Sequence, residues 1–132
     1  QERNLAMWCH MGPIIAYVVS IVFSWTGIGI VIALLTWLPP VLIMNQPGAT
    51  EFVKQHARNS INFQLQWLLI SIPIVVVEIV LIAVTLGIAA FLLLPATIVL
   101  LVFLFIWMAR GSNAASRGET YEYPYVFMKL IG

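Results

Sequence analysis

The chain has 132 residues, of which 62% are apolar and only 8% are charged, and its net charge is +1. A soluble domain usually carries about 25% charged residues, and a fold of this size cannot hide so much apolar surface from water. Lipid must therefore surround most of the chain. The near-neutral charge gives no reason to expect a nucleic-acid partner, and a single cysteine, Cys9, excludes an intrachain disulfide and a cysteine metal cluster.

Four apolar runs are long enough to cross a bilayer, whose core of about 30 Å needs roughly 20 helical residues. They cover residues 5–23, 28–44, 61–84 and 88–108. The first run begins almost at the N-terminus, and its length suits a membrane span better than a cleavable signal peptide. Because backbone groups in lipid must bond within the chain, we expect an all-α fold. Two helical hairpins would form one integral membrane four-helix bundle.

The basic residues indicate how this bundle is oriented. In a four-span chain all of them lie on one side, whereas three spans would divide them between both sides. The positive-inside rule then predicts that both termini are cytoplasmic. The six residues are Arg3, Lys54, Arg58, Arg110, Arg117 and Lys129.

Two segments outside the spans have their own patterns. Thr50 can cap a helix whose amphipathic start, residues 50–60, would lie at the headgroup boundary and continue into the third span. Gly118 is typical of a left-handed helix end. The tail that follows, residues 118–132, is rich in tyrosine, and we expect it at the membrane surface because amphipathic rings prefer the interface. Prolines inside the spans favour shape-setting kinks over moving hinges.

Glu78 is the most unusual residue of the spans, since it lies about 10 Å deep in the third span at about 1.5 Å per residue. An ionised carboxylate facing lipid there would cost several kcal/mol. No basic residue lies at that depth, so Glu78 must face protein or water, or be protonated. We predict that it bonds at least one hydroxyl of similar depth, and the candidates are Tyr17, Ser20, Thr36 and Thr97.

Glu78 belongs to a polar stripe along the third span. At 100° per residue, Gln64, Ser71 and Glu78 fall within about 40° of one line. The favoured interpretation is a seam of hydrogen bonds between helices. A hydrated pathway or proton site, and contact with another subunit, remain as alternatives.

His10 lies in the inner part of the first span, and its favoured interpretation is a core histidine with satisfied hydrogen bonds. A haem or metal ligand would need a second ligand at the same depth. The other histidine, His56, is expected outside the membrane, which weakens that alternative. Where the third span begins, a row of amides (Gln55, Asn59, Asn62 and Gln66) is expected to bind helix ends or loops, or to form a docking patch for a partner.

Three segments carry a resemblance to a known family. The N-terminal stretch from Glu2 to His10 resembles the family's Glu-Arg, Ala-Met and His pattern. The stretch from His56 to Gln64 resembles its His and Asn-Phe-Gln motif, and the stretch from Arg117 to Pro124 resembles its Gly-Glu, Tyr and Tyr-Pro motif. This is the widespread bacterial family of small four-span proteins related to the twenty-kilodalton subunit of the chloroplast inner-envelope protein translocon.

The resemblance covers nearly the whole chain, and Glu78 lies outside its motifs. It implies four helices with a cytoplasmic motif face in the bacterial inner (plasma) membrane, no enzyme activity and no cofactor. In the plastid relatives it implies a role in protein translocation. The motif and docking face would comprise His10, His56, Asn62, Phe63, Gln64, Tyr123 and Pro124.

The sequence lacks a paired carboxylate site, a His-Glu-x-x-His motif, a phosphate loop and a nucleophile elbow, so we do not expect an enzyme. The favoured function is a non-catalytic accessory or scaffold subunit of a larger membrane complex, with lipid and other membrane subunits as partners. The alternative is a channel or protein-translocation component with a hydrated stripe along the third span.

Overall fold

The computed structural model describes all residues from Gln1 to Gly132, and its regular structure is entirely helical. Three helices are long and apolar enough to span a membrane, and a bent pair of shorter helices makes a fourth candidate. The fold class is therefore all-α with three to four candidate spans. In chain order the helices are α1 (Glu2–Val22), α2 (Gly27–Leu34), α3 (Leu38–Met44), α4 (Glu51–Val84) and α5 (Ala90–Arg117).

The second apolar run, residues 28–44, is not one continuous helix, and the proline pair inside it is accompanied by the kink that the sequence indicates. It breaks between α2 and α3, which meet at a bend of 44°. Pro39 and Pro40 stand in the first turn of α3, where they have no N–H groups to bond back to the preceding turn. Side chains bond the carbonyls at the end of α2, since the Thr36 hydroxyl donates to Ala33 O and the Trp37 indole donates to Leu34 O. The other prolines inside the helices do not interrupt them.

The two long helices extend beyond their apolar runs. Helix α4 begins where the Thr50 hydroxyl accepts a hydrogen bond from Val53 N, and it runs unbroken for 34 residues. Its amphipathic start is thus continuous with the third span, as predicted. Helix α5 passes the expected end at Met108 and stops at Gly118, whose φ of 80° is the left-handed cap that the sequence indicates.

The buried residues concentrate at one end of the molecule. In α4 every buried residue lies at or before Gln66, and in α5 every buried residue lies at or after Leu104. Here the first half of α1 packs between α4 and α5, and Arg3 approaches Gly118, so that both chain termini lie at this end. We call this region the polar end: the first half of α1, α4 up to Gln66, α5 from Leu104 and the tail.

The opposite region consists of α4 after Gln66, α5 before Leu104, the second half of α1, and α2. We call it the apolar half. Most of its large side chains are exposed, including Val84 at 76% and Phe91 at 83%. Exposed apolar surface of this extent is what a bilayer covers, and in water it would mark an interaction surface.

Candidate functional site

His10 and His56 form a direct pair at the centre of the polar end. His10 Nε2 lies 2.9 Å from His56 Nδ1, and His10 Nδ1 lies 2.6 Å from the Tyr123 hydroxyl. At the far side, His56 Nε2 lies 3.0 Å from the backbone oxygen of Glu119. Both rings are fully buried. Side chains from α1 and α4 are thereby linked to two points of the tail.

The direction of these hydrogen bonds follows from the group at one end of the series, the Glu119 carbonyl, which can only accept. The Glu119 carbonyl has no proton to give, so His56 Nε2 carries one and, in a neutral ring, His56 Nδ1 accepts. His10 must then donate from Nε2 and accept at Nδ1 from Tyr123. Burial raises the pKa of the Tyr123 hydroxyl well above its usual value, so this donor keeps its proton. Every nitrogen of both rings has a partner.

Close packing around His10 depends on a glycine of α5. A Cβ atom at Gly111 would lie only 2.9 Å from His10 Nδ1 and 3.0 Å from Tyr121 Cδ1. On the other side of the pair, the Phe63 ring stacks on Tyr123 with centroids 4.0 Å apart. The backbone of α5 can therefore approach the imidazole only because position 111 has no side chain.

The amide row of α4 holds the backbone of the tail. Asn62 reaches both polar backbone groups of Ile131, with Nδ2 donating to its oxygen at 2.9 Å and Oδ1 accepting from its N–H at 2.8 Å. Gln66 makes three such bonds, donating to Tyr125 O and accepting from the N–H groups of Phe127 and Met128.

Asn59 attaches the tail at one more residue by donating to Tyr121 O at 2.7 Å. The remaining member of the row, Gln55, is exposed and makes no side-chain hydrogen bond. Between the two expected roles of the row, binding a loop or docking a partner, the structure assigns three of its four amides to the chain's own tail. These hydrogen bonds are made to backbone groups of the tail, so they fix its path independently of its side chains.

The pairing of the histidines corrects the sequence-based picture. His56 was expected outside the membrane and away from the depth of His10, and the expected difference in depth is wrong, because the two rings share a hydrogen bond. The error arose from counting α4 as a span only from residue 61. Its earlier turns are covered by α1, α5 and the tail, so His56 is buried by protein.

The structure brings most of the predicted motif face together. His10, His56, Asn62, Phe63 and Tyr123 are all buried in the polar end. Pro124 is half-buried and forms a turn with Tyr125, whose φ is 62°. Sequence reasoning missed Gly111 and the contact of Ser60 with α1, where the Ser60 hydroxyl donates to Cys9 O at 2.7 Å. A small residue at each helix contact is the signal that could have identified them.

Gln64 is also buried in the polar end, but its side chain is not fully hydrogen-bonded. Its amide nitrogen donates to the Met108 sulfur at 3.1 Å, while its oxygen has no partner. The indole N–H of Trp67, one turn later, is likewise without an acceptor. Sulfur is a weak acceptor, so this is the least satisfied part of the helix packing.

The polar stripe is a continuous line along α4 but not a continuous seam between helices. Gln64 and Glu78 reach α5, whereas the Ser71 hydroxyl bonds Leu68 O in its own helix. The expected seam therefore has a gap at Ser71. The gap coincides with a cleft of about 230 Å³ between the helices, which is lined by Ser71, Glu78, Thr97 and mostly apolar side chains.

Of the four candidate partners of Glu78, the structure joins it to Thr97. The Thr97 hydroxyl lies 2.7 Å from Glu78 Oε1 and also 2.9 Å from Leu93 O. The hydroxyls of Ser20 and Thr36 bond carbonyls of their own segments instead, at Tyr17 O and Ala33 O. Tyr17 lines the same cleft as Glu78 without a bond to it.

Charged side chains near the polar end form short surface pairs. Glu51 lies 3.1 Å from Lys54 and 3.4 Å from Arg58, and Arg117 lies 2.8 Å from Glu119. Hydrogen bonding and charge from Lys54 lower the pKa of Glu51, and Arg117 does the same for Glu119. Exposed pairs of this kind contribute little to stability. The structure of the polar end therefore depends mainly on its buried hydrogen bonds.

Comparison with known proteins gives one match. The model of the magnetosome magnetite crystal formation protein family aligns with residues 1–131. No curated protein and no solved structure matches the chain. The match agrees with the resemblance to a family of small membrane proteins, but no comparison links the chain to the chloroplast translocon.

Proposed function

Because the chain belongs to the magnetosome magnetite crystal formation protein family, we propose that it is a non-enzymatic accessory subunit of a membrane assembly that forms magnetite crystals. The observation that carries this proposal is the architecture of the polar end. Its histidines, amides and tyrosine are engaged in bonds that fix the tail. This is the chemistry of a rigid docking face, and it leaves neither histidine ring with a free nitrogen for acid–base catalysis.

The proposed orientation places the polar end in the cytoplasm and the four crossings in the bacterial inner membrane or the magnetosome membrane. All six basic residues lie in or beside the polar end, which supports this choice. Cys9 is buried, so cysteines introduced elsewhere can be labelled against a low background. A cysteine at Lys54 should resist an impermeant thiol reagent in intact cells, while one at Ser24, in the opposite loop, should react. The reverse pattern would contradict the orientation.

The accessory role is tested by purification in a mild detergent with quantitative identification of co-eluting subunits. We expect a fixed stoichiometry with at least one other membrane protein. We also expect that deletion of the chain changes the size or number of magnetite crystals and that the wild-type chain restores them. Recovery of a monomer alone, together with normal crystals in the deletion strain, would contradict the proposal.

A second candidate is a channel or translocation component, and the cleft beside Ser71 and Glu78 favours it. A conducting path would need this cleft to be hydrated and to continue through the polar end, where packing is dense. Substituting Glu78→Gln should then change transport or conductance in reconstituted vesicles. An unchanged rate would remove this candidate without affecting the accessory role.

A further inference from the structure

Glu78 is an acidic group inside the apolar half that this chain does not neutralise. It lies six residues before the end of α4, which is about 9 Å from that end at about 1.5 Å per residue. Its one side-chain hydrogen bond comes from Thr97 and ends on Oε1. No salt bridge involves it, because every basic residue of the chain lies in or beside the polar end.

The carboxylate is accessible from outside the bundle. It is half-buried and lines both the cleft of about 230 Å³ and an adjoining groove of about 340 Å³. The walls of both are mainly apolar side chains such as Val75, Leu81 and Leu101. A groove with apolar walls and one acidic group fits an apolar helix that carries one basic group.

A carboxylate at this depth costs several kcal/mol unless it is paired or protonated, and intramembrane ionisable groups normally pair with one another. We propose that Glu78 is the docking point for a transmembrane helix of a different protein, which donates a Lys or Arg side chain into the cleft beside Ser71. The inference rests on the proposed accessory function and names the chemistry of its partner.

A second copy of this chain does not fit the site as well. Its basic side chains would lie at the opposite end of the molecule in any parallel arrangement of two copies. Two copies could then meet at Glu78 only through protonated carboxyl groups. Charge complementarity therefore favours a different protein, and self-association is an outcome for the experiment to detect.

The experiment places a photo-crosslinking amino acid at Val75, which lines the cleft, and, as the matched control, at Val76, which is equally exposed but lies outside it. Crosslinking is carried out in the native membrane, and the captured peptide is identified by mass spectrometry. We expect Val75 to capture a transmembrane peptide that contains a Lys or Arg, and Val76 to capture mainly lipid. Capture of lipid alone, of this chain itself, or of a peptide without a basic residue would overturn the proposal.

Charge substitutions then test the pairing. In the Glu78→Gln variant the Val75 crosslink should fall by at least about tenfold, because an unpaired basic side chain in the bilayer costs more than the ~1.4 kcal/mol equivalent to that factor. Glu78→Lys should abolish it, and an acidic residue in place of the partner's basic residue should restore it. Protease resistance of the tail controls for folding in each variant. An undiminished crosslink with Glu78→Gln would overturn the pairing.

The outcomes separate this inference from the accessory function. If a stoichiometric subunit still co-purifies with the Glu78→Gln variant and its crosslinks map to the polar end, the Glu78 site is wrong and the accessory role stands. If no subunit co-purifies with the wild-type chain, the accessory role fails, and the docking site fails with it.

Discussion

The polar end and the apolar half use the same helices in opposite ways. At the polar end α1, α4, α5 and the tail are joined by buried side-chain hydrogen bonds, and residues such as Ala6, Cys9 and Ala57 are completely inaccessible. In the apolar half one hydrogen bond, between Thr97 and Glu78, joins the side chains of α4 and α5.

The difference shows where this small chain gains a unique structure. Lipid tails are as apolar as the helix surfaces, so they give helices little reason to pack together. Buried polar groups, in contrast, destabilise the fold unless each has a hydrogen-bond partner in a particular position. The histidine pair and the amide row therefore define one arrangement of the polar end, while the apolar half remains able to accept lipid or another helix. Four substitutions would break or sharpen this contrast.

The largest effect is expected for Gln66→Ala. The change removes partners from three backbone groups of the tail, at Tyr125, Phe127 and Met128. Losing three partly buried hydrogen bonds should cost about 3 kcal/mol, at about 1 kcal/mol for each bond. The released tail should be cut by chymotrypsin at a far higher rate, as measured on the folded protein in detergent. The control is Gln55→Ala on the same helix, and equal cleavage of the two variants would contradict the role of Gln66 in holding the tail.

Gly111→Ala should be the next most damaging change. The new Cβ would lie 2.9 Å from His10 Nδ1, and overpacking of this kind costs about 2 kcal/mol. We expect a lower melting temperature and a displaced His10 resonance. Gly27→Ala adds a methyl group where no atom lies within 4 Å, so it should leave the melting temperature nearly unchanged. If both variants melt alike, the close approach of α5 to His10 is not real.

Tyr123→Phe isolates one hydrogen bond of the network. It removes the hydroxyl that lies 2.6 Å from His10 Nδ1 and keeps the ring that stacks on Phe63. We expect a loss of about 1 kcal/mol in the free energy of unfolding, measured by denaturant titration. Tyr121→Phe is the control, since the Tyr121 hydroxyl has no side-chain partner. A loss no larger than that of the control would count against the hydrogen bond between Tyr123 and His10.

The smallest effect is expected in the apolar half. Thr97→Val removes the one hydroxyl that reaches Glu78, and hydrogen bonds between membrane helices contribute about 0.6 kcal/mol on average. Global stability and the protease resistance of the tail should change very little. If Thr97→Val released the tail as Gln66→Ala does, the two regions would not be independent.

Hydropathy and charge predicted the apolar runs, the helix start at Thr50 and the end at Gly118, because these depend on local sequence. They did not show that the kink expected at the proline pair would be a complete break between α2 and α3, where the Thr36 and Trp37 side chains bond carbonyls at the end of α2. They also missed the contact of His10 with His56. The two residues are 46 positions apart in the sequence. Their contact depends on how α1 and α4 are aligned with each other, which the sequence of neither helix determines alone.

The central claim is that His10 and His56 are neutral partners in one directed chain of hydrogen bonds. The most direct test is solution NMR at neutral pH on protein labelled with ¹⁵N in its histidines, which reports ring tautomers and couplings across N–H···N bonds. We expect both rings to carry the proton on Nε2, with a coupling from His10 Nε2 to His56 Nδ1. Rings with the proton on Nδ1, or the absence of that coupling in a folded sample, would contradict the account.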